Sequence, residues 1–131
     1  MKPYPVCHIS ELPPGARKII DADGRSIGVF NVHGEFFALR NVCPHQFAPL
    51  CQGKLTGYCE PSPVGEFHWA REGEIIRCPW HAWEFDIKTG RSIFDPQKVR
   101  TKSYPVTLET PRPAVEAFPV HVHEETIVVS A

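Results

Sequence analysis

Apolar residues in this chain come in short runs separated by turn-forming pairs. None shows the three-to-four-residue spacing of a long amphipathic helix. The runs are Arg17–Ile20, Ser26–Val32, Glu35–Leu39, Glu74–Arg77, Trp83–Ile87, Tyr104–Leu108 and Thr126–Val129, rich in Ile, Val, Phe and Tyr. Asp23-Gly24, His33-Gly34 and Thr89-Gly90 fall between runs, and 14 prolines and 9 glycines punctuate the whole. His33-Gly34, flanked on both sides by apolar residues, predicts a tight hairpin. The pattern is all-β, built from many short strands. Residues 103–108 (SYPVTL) and 117–122 (AFPVHV) echo one another. They read as two edge strands, each tolerating Pro where no ladder bond is needed, and not as a repeat array.

Composition narrows the class. With 131 residues the chain suits one domain and can build a core without metal. Lys plus Arg is 14 and Asp plus Glu is 15, a net charge of −1 with no basic stripe, which argues against a nucleic-acid partner. The start, Met1-Lys2-Pro3-Tyr4-Pro5, lacks the apolar run of a signal peptide, and no stretch approaches the roughly 18 apolar residues of a membrane span. The expectation is a soluble cytoplasmic protein. Five cysteines, Cys7, Cys43, Cys51, Cys59 and Cys78, are an odd number for a fully paired secreted framework. Free thiols in a reducing compartment fit Cys7, Cys51 and Cys59, with a Cys51–Cys59 disulfide as an alternative.

The chemistry concentrates in two segments, Cys43-Pro44-His45 and Cys78-Pro79-Trp80-His81. Each offers one soft thiolate and one neutral imidazole. Two of each in this order suit a dinuclear iron–sulfur cluster with one iron held by sulfur and the other by nitrogen. Zinc also takes Cys2His2 sets, but a structural zinc site opens with two cysteines and closes with two histidines. Here each segment carries one of each. Pro directly after each Cys fixes the backbone beside each sulfur. His121-Val122-His123-Glu124 puts two histidines on one face of a strand, yet no distant third ligand accompanies them, so a solvated strand is the better reading. His68 reads as a solvated loop histidine.

The paired C-x-H and C-x-x-H segments resemble the Rieske family, most closely from Asn41 to Pro105. The resemblance implies stacked antiparallel sheets with a small inserted cluster-binding subdomain. The base would comprise 1–41 and 97–131, and the subdomain 42–96. It implies one [2Fe–2S] cluster per chain, with Cys43 and Cys78 on one iron and His45 and His81 on the other. Phe47, Pro49, Trp80 and Trp83 would surround the tip, and Pro96 would belong to a third loop covering the cluster. High-potential members carry a loop disulfide and Ser and Tyr hydroxyls that donate to sulfur. Here Trp80 stands at the disulfide position, Phe85 stands for the Tyr, and no Ser follows His81. The expected potential is therefore at the low end of the range of about −150 to +300 mV for such centres.

The resemblance implies a non-catalytic ferredoxin-type electron carrier. A flavin-containing reductase would be its donor, and an oxygenase or related multicomponent oxidoreductase its acceptor. A Rieske-like small subunit of a nitrite reductase and an iron- or redox-sensing binding module are the alternatives. The chain departs from the pattern in two places. Ala82 replaces the usual Gly after the second His. Between His45 and Cys78 lie 32 residues, about twice the usual spacing. The excess predicts a long Pro- and Gly-rich loop at 56–73, with a cover, a partner dock and an oligomer contact all open as roles.

Overall fold

The computed structural model describes residues 2–44, 48–60, 64–65, 68–80, 83–109 and 125–131, with 58–60 and 68–70 described by backbone alone. Among the described residues there are ten strands: β1 Pro3–His8, β2 Arg17–Ala22, β3 Arg25–Val32, β4 Glu35–Arg40, β5 Lys54–Glu60, β6 His68–Arg77, β7 Glu84–Asp86, β8 Ser103–Tyr104, β9 Val106–Glu109 and β10 Thr126–Ser130. They form three antiparallel sheets, ordered β1-β10-β9, β2-β3-β4-β8 and β5-β6-β7. No α-helix occurs among the described residues, only 3-10 turns at Ile9–Glu11 and Leu50–Gln52.

The middle sheet is the keystone. From Ile27 to Val32, β3 is buried at every position, so both its faces are covered. Period-two alternation sends Ile27 and Val29 into one core and Phe30 and Val32 into another. The first core packs Leu12, Ala22, Ala38, Tyr104, Ile127 and Val129 between the middle sheet and β1-β10. The second joins Phe30, Val32 and Leu39 to Leu50, Cys51, Ile76, Phe85 and Ile87 of the chain around the third sheet.

Two-residue connections build the middle sheet. His33 (φ 52°) and Gly34 (φ 94°) join β3 to β4, and Asp23 (φ 52°) and Gly24 (φ 84°) join β2 to β3. Positive φ at both central residues is the type I′ signature, whose twist matches that of the flanking strands. Close packing fixes one further position. A Cβ on Gly28 would lie 2.5 Å from both Cβ and Sγ of Cys51, so the Leu50–Gln52 turn seats on the bare backbone of β3. Arg17 holds that turn from the side, its guanidinium donating to the carbonyls of Cys51 (3.0 Å) and Gly53.

The expected 56–73 loop is largely strand. β5 runs on to Glu60, and β6 begins at His68 and pairs with it. Gly65 falls between the two strands and Gly73 belongs to a bulge within β6, while Pro61 and Pro63 lie outside the described residues. Between Thr56↔Ile75 and Tyr58↔Ala70, β5 advances two residues while β6 advances five. Arg71 (φ 57°) and Gly73 (φ 79°) absorb the excess. Arg71 then bonds Glu74 (3.1 Å) and Asp86 (2.6 Å), and Lys88 reaches Glu74 at 3.2 Å. Burial alone would raise the Glu74 carboxyl, but the bonds from Arg71 and Lys88 hold it below its ordinary range. His33 Nε2–H donates to the Glu72 carbonyl at 2.7 Å, tying the bulge to the β3–β4 turn.

The ladder also sets a direction. Lys54↔Arg77 is the pair next to Cys78, and Glu60↔His68 is the far one. Six residues of strand carry the hairpin about 20 Å away from Cys78. β5 and β6 thus run from the root of the Cys78 loop out to Glu60 and His68.

The single strand expected at Tyr104–Leu108 is two. β8 pairs with β4 and β9 with β10, so Pro105, with no N–H to contribute, stands where the chain changes sheets. The second half of the echo, 117–122, and His121 and His123 lie outside the described residues. A Gly28→Ala substitution, forced against Cys51, should cost about 1–3 kcal/mol of stability, read by chemical denaturation.

Candidate metal centre

Cys43 and Cys78 head two loops of the same construction. The Cys43 N–H donates to the Ala48 carbonyl at 2.8 Å, and the Cys78 N–H donates to the Trp83 carbonyl at 2.7 Å. Each bond closes from residue i to residue i+5, around CPHQFA in one case and CPWHAW in the other. The next residue in each loop, Pro44 or Pro79, has no N–H to satisfy. Both cysteines are buried, at 1% and 2% exposure, in the second core beside Phe30, Leu50, Ile76 and Phe85.

The loops hang from well-anchored roots. Asn41 follows β4; its Nδ2 donates to Ser26 Oγ (3.1 Å), and its Oδ1 accepts the Cys51 N–H (2.7 Å). Thr101 Oγ1 donates to the carbonyls of Arg40 (3.3 Å) and Val42 (3.2 Å), bracing the approach to Cys43. Pro49 precedes the Leu50–Gln52 turn. At the second root, a Cβ on Gly53 would fall 1.8 Å from the Arg77 carbonyl oxygen, so only Gly allows β5 to start against the residue before Cys78.

Of the other expected site residues, His45, Phe47, His81 and Ala82 lie outside the described residues. Trp80 is 61% exposed. Trp83 is half-buried and meets Phe94 edge-to-face, with centroids 4.7 Å apart at 74°. Pro96 sits in a turn closed by the Val99 N–H on the Asp95 carbonyl (3.0 Å) and lines a groove with Arg71, Asp86 and Ile93. Phe94, also 61% exposed, is the third-loop residue that packs on Trp83, and the motif spacing gave no sign of it. Phe85 is fully buried in the cluster that holds both cysteines, and its ring brings no hydroxyl.

The donor set fits a [2Fe–2S] cluster. Two buried sulfurs come from matching loops, and each loop has one histidine a few residues beyond its Cys. A model of the Rieske [2Fe–2S] domain matches residues 2–105. The chain belongs to the Rieske [2Fe–2S] family. The biphenyl dioxygenase ferredoxin subunit of Pseudomonas sp. (strain KKS102) is 30% identical over 103 residues, covering 79% of this chain and 81% of that protein. The ferredoxin component of the naphthalene 1,2-dioxygenase system of Pseudomonas aeruginosa is 30% identical over 106 residues, covering 81% and 86%. Among solved structures, the ferredoxin of carbazole 1,9a-dioxygenase from Nocardioides aromaticivorans IC177 superposes with a TM-score of 0.68 at 23% identity, covering 99% of this chain and 98% of that one, a likeness of fold. As in other Rieske domains, one [2Fe–2S] cluster is the cofactor.

Cys51, the remaining described cysteine of this Rieske core, is a thiol and not half of a disulfide with Cys59. Its Sγ donates to the Leu39 carbonyl at 3.6 Å. Burial pushes the thiol up from its ordinary 9.0 to about 12. A raised folded value means the protonated thiol is the form the fold favours. Its contribution to stability is complete below pH 9.0 and is withdrawn as pH climbs toward about 12. A Cys51→Ala variant should therefore lose less stability than the parent between those limits, measured by urea unfolding across the alkaline range. At neutral pH the parent Cys51 should resist iodoacetamide until the protein is unfolded.

Proposed function

We propose that Cys43, His45, Cys78 and His81 hold the cluster, the two thiolates on one iron and the two imidazoles on the other. The matched loop closures and shared burial of Cys43 and Cys78 carry this assignment. The chain is a one-electron carrier of the ferredoxin type and not itself a catalyst. It takes electrons from a flavin-containing reductase and passes them to an oxygenase or related oxidoreductase. The ferredoxin components of dioxygenase systems among its relatives support this reading. Residues 42–96 act as the cluster-binding unit and the remainder as its base, in keeping with a third sheet that lies wholly within 54–86. The cytoplasm is the proposed location, consistent with thiols at Cys7 and Cys51. No helix among the described residues is long and apolar enough to cross a membrane.

The cluster supplies the redox chemistry, gaining and losing a single electron. The chain's own residues set its environment. Phe30, Leu50, Ile76 and Phe85 keep water from the sulfur side. Trp80, Trp83 and Phe94 border the second loop. With Phe85 in place of a phenol and Trp80 in place of a disulfide half, the reduced cluster's negative charge lacks two stabilising neighbours. The potential then sits near or below about 0 mV, in the lower part of the Rieske range.

Replacing Cys43 or Cys78 by Ser, or His45 or His81 by Ala, should abolish the visible absorption of the purified protein. His121→Ala and His123→Ala should leave it intact. Phe85→Tyr should move the midpoint potential upward without loss of iron; an unchanged or lower potential would remove the hydroxyl argument.

A further inference from the structure

The first ligand loop is flanked by positive charge that forms no ion pair with the described residues. Arg40 and Arg100 line one groove with Lys102, Thr101, Val42 and Pro44, next to Cys43. Arg40, Arg91, Arg100 and Lys102 are all exposed. They oppose one another in like-charged pairs. Arg91 and Arg100 face each other across an antiparallel bridge. The Arg40 N–H donates to the Lys102 carbonyl at 2.8 Å, extending the register of Ala38↔Tyr104 and Leu39↔Ser103. Like charges directly opposite on a sheet destabilise it. None of the four forms an ion pair with a described residue, although Lys102 lies over the Tyr104 ring at 5.4 Å. Of the nearby acids, Glu74 and Asp86 hold Arg71, Asp86 also lining a groove with Arg91; Glu84 pairs with Arg77 at 3.6 Å, and Asp95 Oδ1 accepts the Lys98 N–H at 3.3 Å. In a chain of net charge −1, this face is a local excess of cations.

We propose that this face docks an acidic surface of a redox partner protein, placing the partner against the first ligand loop. The proposal rests on the carrier reading above. Two repulsive cross-strand pairs are relieved when carboxylates approach them. Thr101, bonded to the Arg40 and Val42 carbonyls and to Gly90 through its own N–H (2.8 Å), holds the charged strands rigidly to the root of the Cys43 loop. Complementary charge at such a site steers encounter and fixes orientation more than it adds affinity.

The test uses the reduced holoprotein and two one-electron oxidants of opposite charge, ferricyanide and tris(phenanthroline)cobalt(III). Each takes one electron from the protein, becoming ferrocyanide or cobalt(II), with no proton moved. Raising ionic strength from about 10 mM to about 150 mM shortens the Debye length from about 30 Å to about 8 Å. Oxidation by ferricyanide should slow on the order of tenfold over that range, and oxidation by the cobalt complex should quicken. The Arg91→Glu/Arg100→Glu variant should reverse both slopes, and Arg91→Gln/Arg100→Gln should flatten them, with potential and spectrum unchanged. Slopes of the same sign for both oxidants, or unaltered in the variants, overturn the proposal. A second arm, independent of the cluster, titrates the protein with poly-L-glutamate, a single-stranded oligonucleotide and anionic phosphatidylserine vesicles. Tightest binding to poly-L-glutamate, lost in Arg91→Glu/Arg100→Glu, supports an acidic protein. Tighter binding to the oligonucleotide or vesicles overturns it. If the chain holds no iron, the carrier reading alone fails and the titration still decides the face.

Discussion

Double burial of β3 is the constraint on which the rest of the molecule depends. A strand with one solvated face could alternate polar and apolar side chains. β3 cannot, because Ile27 and Val29 fill one core while Phe30 and Val32 fill the other. This sandwiches the middle sheet between the β1-β10 layer and the loops that carry Cys43 and Cys78. The sulfurs are thus buried against the doubly covered strand, in the same core as Phe30 and Val32. Gly28 shows how tight the packing is, since the Leu50–Gln52 turn rests on β3 with no room for a methyl group.

From that base the two ligand loops follow by the same local device. Each opens with Cys-Pro, buries its sulfur and closes its backbone on the residue five positions later. In sequence, His45 and His81 fall between the residues that close each loop. Backbone closure of each loop suits electron transfer, where the protein's task is to change little between oxidation states. Binding metal and holding the loops are then coupled, because the ligands come from two segments brought together only in the folded chain.

Much of this was legible in the sequence because it depended on local chemistry. The ligand pattern, the His33-Gly34 turn and most strands carry signals within a few residues of themselves. The failures are physical as well. β1 carries no clear strand signal because Pro3 and Pro5 interrupt its pattern; among the described strands it lies at a sheet edge, paired with β10, where Pro is tolerated. Pro and Gly outweigh the strand formers in 56–73 and so predict a loop, whereas the strands there are set by pairing across the ladder, with Gly73 taken up in a bulge. Phe94 meets Trp83, and Asn41 meets Cys51, through contacts that no sequence period encodes.

A Rieske cluster of mixed ligation and low potential has a signature that an EPR-monitored redox titration of anaerobically purified protein reads. The reduced protein should give a signal with average g well below the free-electron value and a midpoint near or below about 0 mV. A colourless, EPR-silent protein containing zinc, or a midpoint above about +150 mV, would contradict that assignment.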